Sequence, residues 1–380
     1  MRLLFWVQSL LGSGHLRRAL RISRACADAG FEVTLVNGGP LSPWPAPKGV
    51  RILQLPVLRA ADATFSALVD EDGRPAADAL WRARAALLAT ALEQTRPHLV
   101  LLEMFPFGRR AFARELEPWL ARARNLFPRL RVAISVRDVL VRKTNPDRYR
   151  EMAERANRLA DTVLVHGDAA LLPFEVSFPA RRLLSVPLRH TGYVVEPPPP
   201  VPAERRGIVV SAGGGAVGAR LLETALAAHP LCRLADEPWL LVAGRHGQGE
   251  TLRRRAPPGV TVRGHDPDLP AHLAAARVSV SQAGYNTVAE TLACGTPMVL
   301  VPFAESGEDE QTVRARRLAA KGLARTLDAR DLTPAALARA IEEAARTPPG
   351  TRSQVALEGA RRSARLLRRL VEEGALPCDG

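Results

Sequence analysis

Short, almost wholly apolar runs recur along this 380-residue chain, and longer stretches with apolar residues every third or fourth position separate most of them. A short run that is apolar at every position suits a strand covered on both faces, and the wider spacing is that of helices packed upon it. The pattern predicts strands over 2–8, 31–37, 50–55, 98–102, 131–136 and 162–166, with helices over 15–29, 76–95, 109–127 and 146–159. The alternation restarts with strands over 207–211, 239–243, 260–263, 278–281 and 297–302. Helices are expected near 218–228, 270–275, 287–293, 311–322 and 334–345, and a last basic helix over 353–373. Such alternation is the mark of parallel α/β sheets.

Between the two halves lies the stretch 196–203, with four consecutive prolines, Pro197 to Pro200. Proline at that density enters neither a helix nor a central strand, so the stretch is expected to be an extended linker. The expected organisation is an α/β chain of two Rossmann-like domains facing each other across a cleft. The first covers 1–195, the linker 196–203 and the second 204–352, with the helix 353–373 packing back on the first domain. In such sheets ligands lie beyond the carboxyl ends of the strands, so the loops that follow strands carry the functional expectations.

At the N-terminus, Arg2 and the apolar run Leu3 to Val7 look like a short export signal, but Gln8 and Ser9 interrupt the run and a helical pattern follows at once. A buried first strand fits better. No apolar stretch approaches the ~18–20 residues that span a bilayer. Cys26, Cys232, Cys294 and Cys378 have no paired spacing and read as free thiols in a reducing cytoplasm. The 53 basic residues, of which only Lys48, Lys143 and Lys321 are lysine, exceed 39 acidic ones and give a net charge of +14. That balance calls for something anionic: nucleic acid, lipid or a phosphorylated substrate. Aromatic residues at 5% leave few stacking platforms for single-stranded nucleic acid.

Three loops carry candidate chemistry. The first holds Gly12, Ser13, Gly14 and His15, a phosphate or acceptor loop opening a helix. Arg17 stands where a dinucleotide fingerprint needs its third glycine, which counts against that use. His15 is either a general base or anion contact, or a cap at the helix start. The second loop has Ser211, Gly213, Gly214, Gly215 and Gly218 after a strand. A nicotinamide dehydrogenase would want an acid at the end of the next strand, where Ala243, Gly244 and Arg245 stand instead. A phosphate cradle remains. The third loop runs through Ser281, Gln282, Gly284, Asn286, Thr287 and Glu290, followed by Gly295, Pro297, Val301, Pro302, Asp309, Glu310 and Gln311. Gly284 is expected in a strained turn, the next helix aims its N-terminal dipole at a diphosphate, and Glu290 and Gln311 suit sugar hydroxyls.

This third constellation resembles the donor-sugar half of the GT-B glycosyltransferases, in particular family 28. The Gly12–His15 loop and Gly213 to Gly215 resemble that family's two glycine-rich loops. The resemblance implies a GT-B fold and a hexosyltransferase that takes a nucleotide-diphosphate sugar, UDP-linked by expectation, with no metal and no cofactor. Ser211, Gly213, Gly214, Gly215, His265, Gln282, Gly284, Asn286, Thr287, Glu290, Glu310 and Gln311 would then line the donor site. His15 would be the leading catalytic base, Glu103 its orienting partner or the base itself, and Arg137 a third catalytic candidate. Arg137 and Asp138 follow a strand and could reach the cleft, with a structural salt bridge nearly as good an account; His166, Gly167 and Asp168, which end the next, rank lower. Many family members carry Ser-Arg where this chain has Ser281 and Gln282. Retaining GT-B enzymes have a Glu-x7-Glu motif; Gln282 replaces its first glutamate, which favours inversion of the anomeric centre. The acceptor is open: lipid-linked sugar, polysaccharide, protein or small metabolite. The terminal helix, with Arg352, Arg361, Arg362, Arg365, Arg368 and Arg369, presents a solvated face or a peripheral contact with the inner face of a membrane. Nucleic acid is not an expected partner. Two other readings compete: an epimerase or hydrolase of the same architecture, and a noncatalytic nucleotide-sugar or membrane-surface binding protein.

Overall fold

The computed structural model describes residues 1–62, 67–212, 218–244, 249–303, 309–348 and 355–374. Gly213, Gly214, Gly215, Arg245, Arg352 and Cys378 lie outside them. The chain divides into two compact units. The first comprises Met1–Ala169, Pro173–Val194 and the C-terminal segment from Glu358; the second comprises Ala170–Leu172 and Val195–Leu357.

In the first unit the order is β1 (Arg2–Val7), α1 (Gly14–Asp28), β2 (Glu32–Asn37), β3 (Val50–Gln54), β4 (Arg59–Ala60), β5 (Leu68–Val69), α2 (Asp78–Thr95) and β6 (Leu99–Glu103). It continues with α3 (Ala113–Leu126), β7 (Arg131–Arg137), α4 (Asp147–Leu159), β8 (Thr162–His166) and β9 (Leu188–His190). The second unit contains β10 (Ile208–Ser211), α5 (Ala219–Ala228), β11 (Trp239–Val242), α6 (Gly249–Arg255), β12 (Val260–Arg263), α7 (Leu269–Ala275) and β13 (Val278–Ser281). It ends with α8 (Tyr285–Cys294), β14 (Met298–Leu300), α9 (Glu310–Ala320), β15 (Arg325–Thr326) and α10 (Pro334–Ala345), after which α11 (Gly359–Glu373) returns to the first unit.

Among the described residues the first unit is built on one parallel sheet in the order β3-β2-β1-β6-β7-β8-β9, and β4 and β5 form a small antiparallel pair. The second unit has a parallel sheet in the order β12-β11-β10-β13-β14-β15. Each order reverses direction once, between β1 and β6 and between β10 and β13. At such a switch point the loops leave to opposite sides and open a crevice at the carboxyl ends of the strands. The loops after β1 and β6 therefore meet in one unit, and those after β10 and β13 in the other.

The central strands β1, β6 and β8 are buried along nearly their whole length, which is why they read as unbroken apolar runs. On one side of the first sheet Leu16, Ala19 and Ile22 of α1 share a core with Ala364, Leu367 and Leu370 of α11. On the other, Trp81 and Leu88 of α2 pack with Leu116, Trp119 and Leu120 of α3. The second unit centres on Val210, Leu241, Val280 and Val299 under Leu222, Ala225, Leu337 and Ile341. Cys26, Cys232 and Cys294 are free and buried, and burial pushes the Cys26 thiol up to about 12.

The pattern-based elements differ from the structure in a few places. Strands β4, β5, β9 and β15 and helix α6 are absent from the expectation, because runs of two to seven residues do not establish a period. Helix α8 begins at Tyr285 rather than 287, and α11 at Gly359 rather than 353. Gly284 has φ −68° and ψ 143°, an ordinary extended conformation, so the expected strained turn is not there. No helix among the described residues is long and apolar enough to cross a membrane.

Candidate functional site

At the switch point of the first sheet, β1 ends at Val7, and Gln8 to Ser13 lead into α1. Gly12 has φ 62°, a left-handed conformation that favours glycine, and an added Cβ there would meet nothing within 4 Å. His15 is the second residue of α1. Glu103 closes β6, the strand beside β1, and is fully buried, whereas the His15 side chain keeps 12% exposure. The two meet: His15 Nδ1 lies 2.9 Å from Glu103 Oε1.

A carboxylate accepts hydrogen bonds only, so this contact fixes the proton on Nδ1 and leaves a lone pair on Nε2. Among the described residues Nε2 has no protein hydrogen-bond partner. The buried Arg18, one turn along α1, also donates to Glu103 Oε1. Ser135 Oγ on β7 donates to Glu103 Oε2 at 2.5 Å. With its hydrogen so committed, Ser135 Oγ accepts from His166 Nε2 at 2.8 Å, and His166 Nδ1 then accepts from Thr191 Oγ1 at 2.8 Å. The donors run in one direction, from Thr191 through His166 and Ser135 to Glu103. Glu103 thus accepts from this line on Oε2 and from His15 and Arg18 on Oε1.

Burial alone would raise the Glu103 carboxyl, but Arg18, His15 and Ser135 outweigh it and hold it down at about 2. Burial, then the charges of Arg109 and Arg18, lower His15 to about 3 despite Glu103. His166 is likewise lowered to about 3 by burial and by Arg18. Glu103 is therefore ionised and both imidazoles neutral at pH 7. Arg109, in the loop after β6, donates from Nε to the Gln8 carbonyl at 2.7 Å. Arg137 ends β7 and is half-buried. Its neighbour Asp138 is buried and accepts from Tyr193 Oη at 2.9 Å and from the Val139 N–H at 2.9 Å, a structural anchor.

Below this site, the buried Arg84 of α2 is held in full. Its Nε and Nη2 donate to Glu115 at 2.9 and 2.8 Å, its Nη1 to the Gly38 and Pro56 carbonyls at 3.1 and 2.7 Å, and its Nη2 to Gln8 Oε1 at 3.0 Å. All five guanidinium hydrogens have acceptors. The loop after β1 is thus tied through the Gln8 side chain to Arg84 and through its carbonyl to Arg109.

In the second unit, Ser211 ends β10 and Ser281 ends β13, side by side in register and both buried. Gln282, Asn286 and Thr287 are half-buried around the start of α8, and Glu290 is buried one and a half turns into that helix. An added Cβ on Gly284 would meet nothing within 4 Å, so the backbone before α8 faces open space. Arg314 of α9 donates to the Ala283 carbonyl at 2.6 Å and to Glu310 Oε1 at 2.8 Å, fixing the loop before α8. Glu310 is committed to that ion pair. Gln311 Oε1 accepts from the Phe303 N–H at 3.0 Å. His265 is exposed, next to Asp266, whose carboxylate takes Arg263 Nη1 at 2.8 Å and the Asp268 N–H at 2.9 Å and so sets the loop after β12.

The expected residues thus fall into two groups, one per unit: Gly12, Ser13, Gly14, His15, Glu103 and Arg137 in the first, and Ser211, His265, Gln282, Gly284, Asn286, Thr287, Glu290, Glu310 and Gln311 in the second. Arg18, Arg109, Ser135 and Thr191 join the site without a motif in the sequence that marks them. Arg18 lies one helical turn from His15, a spacing that could have flagged it.

Residues 209–366 match the model of the glycosyltransferase family 28 C-terminal domain. The UDP-N-acetylglucosamine–N-acetylmuramyl-(pentapeptide) pyrophosphoryl-undecaprenol N-acetylglucosamine transferase of Syntrophotalea carbinolica is 35% identical over 139 residues. That match takes in 34% of this chain and spans only 38% of the relative's length. Among solved structures, MurG of Acinetobacter baumannii aligns over 97% of this chain and 100% of its own, with a TM-score of 0.61 and 18% identity. CalG4, the calicheamicin glycosyltransferase, aligns over 98% and 97% with a TM-score of 0.62 and 18% identity. At such identities the likeness shows the fold, which is that of the GT-B glycosyltransferases.

Proposed function

From a chain that resembles the family 28 glycosyltransferases, matches their C-terminal domain over residues 209–366 and has the GT-B fold, we infer an inverting, metal-independent glycosyltransferase. Its donor is a nucleotide-diphosphate sugar, taken to be UDP-linked. One observation carries the reading: at the switch point of the first sheet, His15 has Nδ1 held by an ionised, buried Glu103 and Nε2 unprotonated and unpartnered by the described protein. That is the state a general base requires.

His15 Nε2 takes the proton of an acceptor hydroxyl as its oxygen bonds to the anomeric carbon. The bond from that carbon to the diphosphate breaks at the same time, and the electron pair leaves on the nucleoside diphosphate. The new imidazolium keeps its Nδ1–H on Glu103, which stabilises the charge as it develops. On the second unit, the N-terminus of α8 beyond the open face of Gly284 suits the diphosphate, and Glu290 suits the ribose hydroxyls. The acceptor is not named by these residues. Gln282 at the place of a retaining enzyme's first glutamate supports inversion.

Calorimetric titration of the wild type and of Glu290→Ala with UDP tests the donor assignment. Wild-type binding is expected, weakened at least tenfold by the substitution; equal affinity would remove Glu290 from the site. Incubation with UDP-sugars in the absence of acceptor tests the reaction class. Stable donor is expected, and rapid stoichiometric release of free sugar would make the protein a hydrolase instead.

A further inference from the structure

The amino ends of β1, β2 and β3, opposite the sugar-transfer site, carry charged side chains that the site does not use. Residues paired in register in a parallel sheet point to the same face. Arg2 pairs with Glu32, and Thr34 pairs with both Leu4 and Arg51, so these five share a face. It is the face covered by α2, whose Leu88 and Leu92 pack with Leu4 and Trp6. Helix α2 ends at Thr95, and there Arg2, Glu32, Thr34, Arg51, Gln94 and Thr95 line a cavity of about 520 Å³ that opens to solvent. That volume suits a small molecule. At about 3.3 Å of rise per residue, the length of β1 separates the cavity from the loop leading to His15 by roughly 17 Å.

The donors around this cavity are held in place and unused. Arg2 Nε donates to the Arg96 carbonyl at 2.9 Å, its backbone N–H to His98 Nδ1 at 3.0 Å, and its carbonyl accepts from the His98 N–H at 2.9 Å. Arg96, which caps α2, has φ 44° and ψ 61°, a left-handed conformation that costs a residue other than glycine and that gathers at ligand sites. Among the described residues the two Nη groups of Arg2 donate to no protein acceptor. Arg51 Nη2 donates to the buried Thr34 Oγ1 at 3.3 Å, and its Nε and Nη1 have no acceptor there. Thr95 is 6% exposed, and its Oγ1 is buried without a hydrogen-bond partner, an expensive state for a hydroxyl. Glu32 faces Arg2 across the register, yet the two form no ion pair among the described residues. The cavity wall thus offers roughly seven unused N–H hydrogens on two guanidinium groups and one open carboxylate.

We propose that this cavity is a second ligand site, at which Arg2, Arg51 and Thr95 hold the phosphate of a small polyol or sugar phosphate and Glu32 and Gln94 take its hydroxyls. The site is independent of the glycosyl-transfer reading. Two forks offer more donors than the two oxygens of a carboxylate can use, whereas the three terminal oxygens of a phosphate monoester match two guanidinium groups and a hydroxyl. Glu32 accepts hydrogen bonds only, so the same molecule must bring donors of its own. The carbonyl end of α2 carries partial negative charge, which Arg2 offsets. With Glu32 beside it, that end disfavours a bare anion and favours one that also carries hydroxyl groups.

The test is calorimetric titration of the full-length protein at pH 7.5 and fixed ionic strength with glycerol 3-phosphate, inorganic phosphate and sodium acetate. Saturable binding of glycerol 3-phosphate is expected, with inorganic phosphate weaker and acetate weaker still. Arg51 is exposed, so its replacement leaves the fold intact, which an unchanged denaturation midpoint verifies. Arg51→Gln is expected to weaken glycerol 3-phosphate about tenfold, and Arg51→Lys, which keeps the charge without the fork, to retain part of the affinity. Glu32→Gln is expected to narrow the gap between glycerol 3-phosphate and inorganic phosphate. UDP affinity in Arg51→Gln should equal that of the wild type. Absence of glycerol 3-phosphate binding, binding that survives Arg51→Gln unchanged, or acetate bound as tightly as the phosphates overturns the proposal. A parallel loss of UDP binding in Arg51→Gln would put both ligands at one site and overturn it as well.

Discussion

Glu103 has two duties toward His15: it fixes the proton on Nδ1 and it supplies negative charge when the ring becomes an imidazolium. Ser135 completes the second by holding Oε2 at 2.5 Å, and His166 and Thr191 hold Ser135. Ser135→Ala removes the donor to Oε2 and leaves His166 Nε2–H without its acceptor. We expect kcat to fall about 10- to 100-fold with the donor KM nearly unchanged, and Ser135→Thr to restore much of it; an equal loss in both variants would mark a purely structural role. His15 could be found in the sequence because it closes a glycine loop that opens a helix, and Glu103 because it is a lone acid where an apolar run gives way. Ser135 and Thr191 could not, and His166 is legible only as a polar residue that ends a strand, not as the partner of Ser135. Ser135 sits inside an apolar run, and its meeting with Glu103 depends on the β6–β7 register, which no single segment encodes.

At the level of elements, the two switch points decide where chemistry can occur. Strand order is a property of pairing, so the alternation of runs predicted parallel sheets without saying that β1 would lie beside β6. The loop after β1 is positioned from below by Arg84, which joins Gln8 to α2 and, through Glu115, to α3. Nothing in the helical pattern of either segment distinguished Arg84 from the many solvated arginines around it. Breaking a buried pair leaves one charge uncompensated, at a cost of about 3–5 kcal/mol, whereas apolar residues of similar volume at both places are often tolerated. Arg84→Met is expected to lower the denaturation midpoint strongly, and Arg84→Met with Glu115→Leu to recover most of the loss. A double variant as unstable as the single would show that the bonds to Gly38, Pro56 and Gln8, rather than the ion pair, set the cost.

Over the whole molecule, the net charge of +14 gains meaning only in part. Arg18 and Arg84 are buried and paired, Arg314 fixes the loop before α8, and Arg109 lies close enough to His15 to oppose its protonation. Arg361, Arg362, Arg365, Arg368 and Arg369 remain exposed on α11, whose opposite face completes the first unit's core. The buried titrating groups also set the acid limit of stability. Glu103, at about 2 against an ordinary 4.5, adds stability above pH 4.5 that is lost as the pH falls toward 2. His15 and His166, at about 3 against an ordinary 6.5, take up protons more readily in the unfolded chain, so their contribution is complete above pH 6.5 and lost toward pH 3. Urea unfolding at a series of pH values is expected to show stability falling from about pH 6.5 downward, less steeply in His166→Gln. An unchanged slope in that variant would remove His166 from the explanation.

The central claim is that His15 is the base of a sugar-transfer reaction. Its most direct test compares wild type and His15→Gln for consumption of a UDP-sugar with an acceptor-containing extract, with UDP affinity measured on the same samples. Turnover is expected to fall about 100- to 10,000-fold with affinity within about twofold. Full turnover in His15→Gln, with the donor still bound, would contradict it.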